Sequence, residues 1–367
     1  MDREEFQPGW FSFPGETLES VVQRRSMSIP DLARSLGCGT DFIDGLICGK
    51  SAIDQEIAGK LEVSLGGTAA FWVARQRQFD EALDRLTDSV PEIEARNWLQ
   101  TLPVQKMVDR NWIARPNQTR DAIRSCLSFF DVSSPDEWRE RYTNFANSFS
   151  FRSSPTYISK IGALSVWLRQ GELQARRIYT KDWDRERFRR QLGLIRALIK
   201  VKEPAYFIPR LRALCAEAGV AVAFVDAPQG CRASGAARFV TQRKALIILS
   251  LRYKSDDHFW FTFFHEAGHL LLDEGKRTFV DEDGQHQSDV ETAANQFSAA
   301  MLIPAERFDD LMNLKAQARS IIRFAVSIEV SPGVVVGQMQ HLKLIGPNKF
   351  NHLKRRFNTD AIFDTIA

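Results

Sequence analysis

Cysteine is scarce and unpatterned in this chain. Its five cysteines (Cys38, Cys48, Cys126, Cys215 and Cys231) are odd in number, scattered, and never arranged as CxxC. That excludes a disulfide framework and a cysteine-built metal site, and it fits reduced thiols in a cytosolic protein. Long hydrophobic runs are missing as well. The most apolar stretch, Phe259 to Leu272, is interrupted by His265, Glu266 and His269. It falls short of the roughly 20 apolar residues that a membrane span requires, so no membrane association is expected. The opening MDREEFQPGW is acidic and lacks an apolar h-region, so no secretory signal is expected. Internal repeats and low-complexity segments are also absent.

What is present is ordinary globular composition: 367 residues, 44% hydrophobic and 26% charged, with 8 Trp and 26 Phe to fill cores. That length implies two or three domains. The net charge of +3 conceals an uneven distribution. Residues 1–90 carry 9 Lys and Arg against 15 Asp and Glu, a net of −6, whereas residues 141–212 carry 16 against 5, a net of +11. An acidic head therefore precedes a basic middle.

The head reads as five short helices. Ser28, Pro30 and Gly37 are an N-cap, a first-turn proline and a stop for the second, and the turn GCGT leads into a third over Asp41 to Cys48. Two helices joined by a short glycine-containing turn are the pattern of a helix-turn-helix. In that motif the N-terminal residues of the second helix reach base edges, which here are Gly39, Thr40, Asp41 and Asp44, with Lys50 beyond the end. Aspartates there repel phosphates, so the local charge weakens the case for DNA and leaves protein binding, or docking on the basic middle, as the alternative.

Residues 89–203 read as a helical, basic linker domain with no catalytic motif, their blocks WLRQGELQARR and RFRRQLGLIRALIK placing cations on a solvated face. After Pro204 the pattern changes to a helix over Leu211 to Ala218 and then three short strands, GVAVAFV, AARFV and ALIILS. Asp256 to Leu272 is the helix bearing HEAGH, and Val290 to Met301 a second helix closed by Ile303 and Pro304. A helical tail over 311–367 breaks at SPGVVVG and turns basic at Lys349, Lys354, Arg355 and Arg356. The fold class expected is α+β, mostly α, with domains at 1–88, 89–203, 204–310 and 311–367.

His265 and His269 are four residues apart, so a helix stacks both imidazoles on one face, where they can hold one zinc ion. Glu266 lies beside them without occupying a ligand position, placed to act as general base on a water nucleophile. Charged residues on so apolar a helix need partners, and a metal supplies them. A hydrolytic zinc site takes three protein ligands. Glu291, Asp289 and His286 all follow within reach, and spacing alone does not choose among them. Asn295, one turn after Glu291, is a candidate to brace a ligand. His258, two turns before His265, is a candidate substrate contact. Substrate is expected to add as a strand at the sheet edge beside the metal, on AARFV or ALIILS.

HEAGHLLL followed by ETAANQFSAAMLIP resembles the ImmA/IrrE metallopeptidases, and the upstream ALIILSLRYKSDDHFWFTFFHEAGH is similar too, over about residues 205–345. The resemblance implies a zincin-like domain and places Glu291 on the third ligand position, with Ala294, Asn295, Phe297 and Pro304 in register. Over about residues 14–86, PGETL, LARSLG, the Gly49–Lys50 pair and GGTAAFW resemble HigA-type antitoxins of the XRE-like helix-turn-helix class. Together the two imply a cytoplasmic regulatory zinc endopeptidase that cuts a repressor- or antitoxin-like protein. The alternative they leave is a DNA-binding antitoxin or regulator with an idle metal site. HigA-like heads also imply a homodimer.

Overall fold

The structure is a computed structural model. It describes residues 13–25, 27–146, 155–250, 252, 254–272, 279–282, 289–358 and 362; His286 lies outside them. The chain divides into two compact units, Met1–Arg177 with Pro228–Cys231, and Ile178–Ala227 with Arg232–Ala367.

The first unit is helical. α1 (Pro14–Arg24), α2 (Ile29–Leu36), α3 (Thr40–Ile47), α4 (Gln55–Leu65) and α5 (Ala69–Ser89) enclose a core of Leu18, Leu32, Ile43, Leu46, Leu61 and Trp72. Their ends follow the capping residues. The Ser28, Asp54 and Thr68 side chains accept the N–H groups of Asp31, Ile57 and Phe71, and α2 stops where Gly37 takes φ 68°. A second core, around Trp98, Phe130, Trp138 and Tyr142, is built by α5, α6 (Glu92–Thr101), α7 (Val104–Asp109), α8 (Thr119–Phe130), α9 (Pro135–Ala146) and α10 (Pro155–Arg177).

α10 departs from the sequence reading. WLRQGELQARR is not a solvated basic face: Trp167, Leu168, Arg169 and Gln170 are all buried. Arg169 is tolerated inside because it donates to the Phe129 carbonyl (2.7 Å) and pairs with Glu172 (3.0 Å). Arg176 reaches Glu16 (2.9 Å), and Arg177 lies 3.5 Å from Asp44 and donates to Cys48 Sγ. Two cations of the basic stretch thus sit on the acidic helices.

In the second unit, α11 (Arg185–Arg196) does read as expected, burying Phe188, Leu192 and Ile195 while Arg189 and Arg190 face water. α12 (Pro204–Ala216) begins seven residues before the expected start at Leu211. Pro204 suits the first helical position, and Pro209 is carried because Phe207 and Ile208 beside it are fully buried. β1 (Val220–Phe224), β2 (Ala233–Thr241) and β3 (Lys244–Leu249) follow, then α13 (Asp256–Leu272), β4 (Phe279–Glu282) and α14 (Asp289–Leu302). The strands form one sheet in the order β1-β3-β2-β4, with β1 parallel to β3 and the other pairs antiparallel. β1 is buried along its whole length and β3 from Ala245 onward, which is why both read as continuous apolar runs. α15 (Phe308–Met312), α16 (Ala318–Ser327) and α17 (Pro332–His341) complete the unit.

The helical tail breaks between Ser327 and Pro332, as expected at the head of SPGVVVG, and the rest of that stretch is the start of α17. Ser331 caps the Val334 N–H, Pro332 occupies the first turn, and a Cβ on Gly333 would lie 2.2 Å from Asp256 Oδ1. Residues of the tail also enter the same core as the sheet and α13: Leu311, Phe324, Val335, Val336 and Phe357 pack with Phe224, Phe259, Trp260 and Phe263. No single helix among the described residues is long and apolar enough to cross a membrane.

The first turn of α13 is held by this tail. Asp256 accepts from Ser331 Oγ (2.6 Å) and from the Arg355 N–H (3.0 Å). Asp257 pairs with Lys354 at 2.7 Å, the two side chains only 7% and 13% exposed. Removing one partner of such a pair leaves a buried charge uncompensated. Lys354→Ala should therefore cost about 3–5 kcal/mol in urea unfolding. Burial pushes the Asp256 carboxyl from 3.8 up to about 6, the neighbouring Asp257 adding to the rise while Ser331 and Arg355 oppose it. Because the folded value lies above the unfolded one, the stabilisation is fully present below pH 3.8 and is lost as pH rises through about 6. The loss is about 3 kcal/mol. Asp256→Asn keeps one oxygen to accept the Arg355 N–H and donates from its amide to Ser331 Oγ, so it stays neutral at both values and should flatten that decline when unfolding free energies at pH 4 and pH 7 are compared.

Candidate metal centre

α13 carries His265, Glu266 and His269 in its second half, all at 1% exposure or less. α14 packs on this helix closely enough that a Cβ on Gly268 would come 3.1 Å from the Phe297 ring and 3.3 Å from Ala294 Cα. Ser298 fixes the register by donating to the Phe261 carbonyl at 2.8 Å. Glu291 lies about one turn before Ala294 on α14, and the close crossing brings its carboxylate to the histidines.

The Nε2 atoms of His265 and His269 are 3.0 Å apart, and each lies 3.3 Å from a different oxygen of Glu291. A tetrahedral ion with ligands at about 2.0–2.1 Å separates its donors by about 3.3 Å. The triangle found here fits one face of that tetrahedron, and two imidazoles with one carboxylate suit a borderline cation. Burial works to raise the Glu291 carboxyl, but hydrogen bonds and charge from both histidines outweigh it and hold the group at about 2. The carboxylate is thus anionic, as a ligand must be. Among the described residues these three form a cluster able to hold a metal ion.

Glu266 is fully buried and stands outside the triangle. β2 runs past it at Gly235, where a Cβ would fall 2.4 Å from Glu266 Oε1 and 2.6 Å from Thr262 Cγ2. The Glu266 carboxylate occupies space that a side chain at this strand position would take. Reading the sequence alone passed over Gly235, yet its signal is there: glycine inside a strand marks a close approach.

Of the remaining candidates, Asp289 is exposed at the start of α14, outside the cluster. Asn295 is half-buried and makes no hydrogen bond to the three donors among the described residues. His258 is exposed in the first turn of α13. The expectation of a free edge on AARFV or ALIILS is corrected. β3 is flanked by β1 and β2, and β2 pairs with β4 from Ala233 to Ala237, beside Glu266, as well as with β3.

In the first unit, Gly39 caps α3, and Thr40 and Asp41 are exposed in its first turn. Asp44 is half-buried against Arg177; burial raises its carboxyl, and the nearby Arg177 charge opposes the rise. Lys50 is exposed beyond the helix end.

Residues 215–337 match the family described as Peptidase_M78, the IrrE N-terminal-like domain. No curated protein matches the chain. The matched segment runs from the end of α12 into α17 and contains Gly235, both histidines, Glu266 and Glu291. Match and geometry together support a peptidase of the ImmA/IrrE family for this part of the chain.

Proposed function

We propose that the second unit is a zinc-dependent endopeptidase acting in the cytoplasm on a protein partner of the repressor or antitoxin class. The observation that carries this reading is the convergence of His265, His269 and Glu291 beside a fully buried Glu266 that belongs to no ligand position. His265 Nε2, His269 Nε2 and the Glu291 carboxylate are the groups that would hold the ion. Zinc supplies Lewis acidity, which acidifies water and polarises a carbonyl oxygen. Glu266 takes the proton from the attacking water at a carboxylate oxygen and returns it to the departing amide nitrogen. Its burial removes competing solvent and keeps the carboxylate close to its task. Gly235 leaves the room in which that carboxylate sits. The substrate class rests on the resemblance of the two motifs, and the cytoplasmic setting on the five free, unpatterned cysteines.

A second reading concerns α2 and α3, whose short turn and exposed Gly39, Thr40 and Asp41 favour a recognition surface. Here the chain is a DNA-binding regulator with an idle metal site. Such binding would show a log K against log [salt] slope of several units. The exposed Asp41, and Asp44 held by Arg177, favour a protein surface over phosphate. Band shifts with the chain's own upstream DNA at low salt should therefore be weak, and a tight, steeply salt-dependent complex would reverse this choice.

Three variants test the peptidase. Glu266→Gln should retain one equivalent of zinc while cleavage of a genomically adjacent protein falls about 10²–10⁴-fold. Undiminished cleavage would remove Glu266 from its role. Glu291→Ala should lose bound zinc by elemental analysis of the purified protein. Gly235→Ala should keep zinc but displace Glu266, lowering kcat about 10²-fold with KM little changed.

A further inference from the structure

Several arginines of the second unit are struts. Arg196 donates to the carbonyls of Met301 and Ile328, both at 2.8 Å. Arg355 donates to those of Ile199, Lys200 and Val201, and Arg187 to that of Glu217. Arg212 on α12 is different. It is half-buried, yet makes no hydrogen bond or ion pair among the described residues. It lines a cavity of about 370 Å³ whose other walls are Ile178, Tyr179, Ile208, Pro209, Ala213 and Ala216. Among the described residues no acidic side chain balances it: burial acts on the guanidinium, drawing it below its ordinary value.

A partly desolvated cation with no partner is costly, and an arginine that braced the fold would be pointed at a carbonyl or carboxylate. A planar fork of donors set in an apolar cavity is instead suited to an anionic head group carried on a hydrophobic body. The cavity falls at the lower end of the range for small-molecule sites of roughly 300–1,000 Å³. Tyr179, 70% exposed, stands at its rim as a flat apolar surface for such a body.

We propose that Arg212 and this cavity form a binding site for a small organic anion, a carboxylate or phosphate monoester bearing an apolar or aromatic group. The site lies on the outer face of α12. The inner face of the same helix places Phe207 against Phe259 and Trp260 of α13, at ring-centroid distances of 5.4 and 5.3 Å. A ligand on Arg212 is therefore one helix away from the element that bears His265 and His269, where a signal could be read by the peptidase. The binding claim itself does not rest on zinc or on cleavage.

The test is ligand binding by the full chain, with 3-phenylpropionate and phenyl phosphate as probes and 3-phenylpropanol as the neutral control. Both anions at about 10 mM should raise Tm saturably by about 2–4 °C, the alcohol should not, and titration calorimetry should give one site. Arg212→Gln should abolish the shift. Ala213→Trp, which fills the cavity and keeps the guanidinium, should abolish it as well. The proposal is overturned if neither anion shifts the wild type, if the alcohol shifts it equally, or if either variant responds like the wild type.

Discussion

The centre depends on the distance at which two helices cross. Glu291 is 22 residues after His269 in the chain, and it reaches the imidazoles because α14 can approach α13 at Gly268. A side chain at that position would push against Phe297 and the Ala294 backbone, moving the carboxylate away. The ligand triangle is thus set by backbone packing and locked by Ser298 on the Phe261 carbonyl.

The same logic extends to the other side of α13. β2 approaches at Gly235 to enclose Glu266, while Asp256 and Asp257 anchor the first turn to Ser331, Arg355 and Lys354. A helix that carries His265, Glu266 and His269 cannot slide or rotate without separating them from Glu291 and Gly235. Its apolar face gives no directional restraint, because hydrophobic contact is not directional. The polar contacts at the first turn and the two glycine approaches supply that restraint. The tail is accordingly a structural part of the metal-site unit and shares its core.

Charge is used differently in the first unit. Arg124 bridges Asp80 and Asp84 between α8 and α5, Arg120 reaches Asp88, and Arg176 reaches Glu16. The acidity that looks adverse for nucleic acid is partly taken up by neighbouring arginines of the same unit. The exposed pairs among these add little to stability individually, since solvent screens them. Their effect is on which surface stays available: Asp44 faces Arg177, whereas Thr40 and Asp41 face water.

The sequence by itself determined the local features, because capping and periodicity act over one or two turns. Ser28, Gly37, Asp54 and Thr68 mark helix ends where the structure has them, and Asp256 to Leu272 is helical over the span its apolar pattern indicates. The placement of His265 and His269 on one face follows from their spacing of four alone. Tertiary structure decided what spacing cannot express. It chose Glu291 over Asp289 among the described acids, buried Arg169 with its partners, and set the start of α17, in SPGVVVG, under Asp256. It also closed both sides of β3 and covered β2 beside Glu266. Each of these depends on which distant backbones meet, and a glycine such as Gly235 or Gly268 shows in the sequence only that something comes close. What comes close is known once the chain is folded.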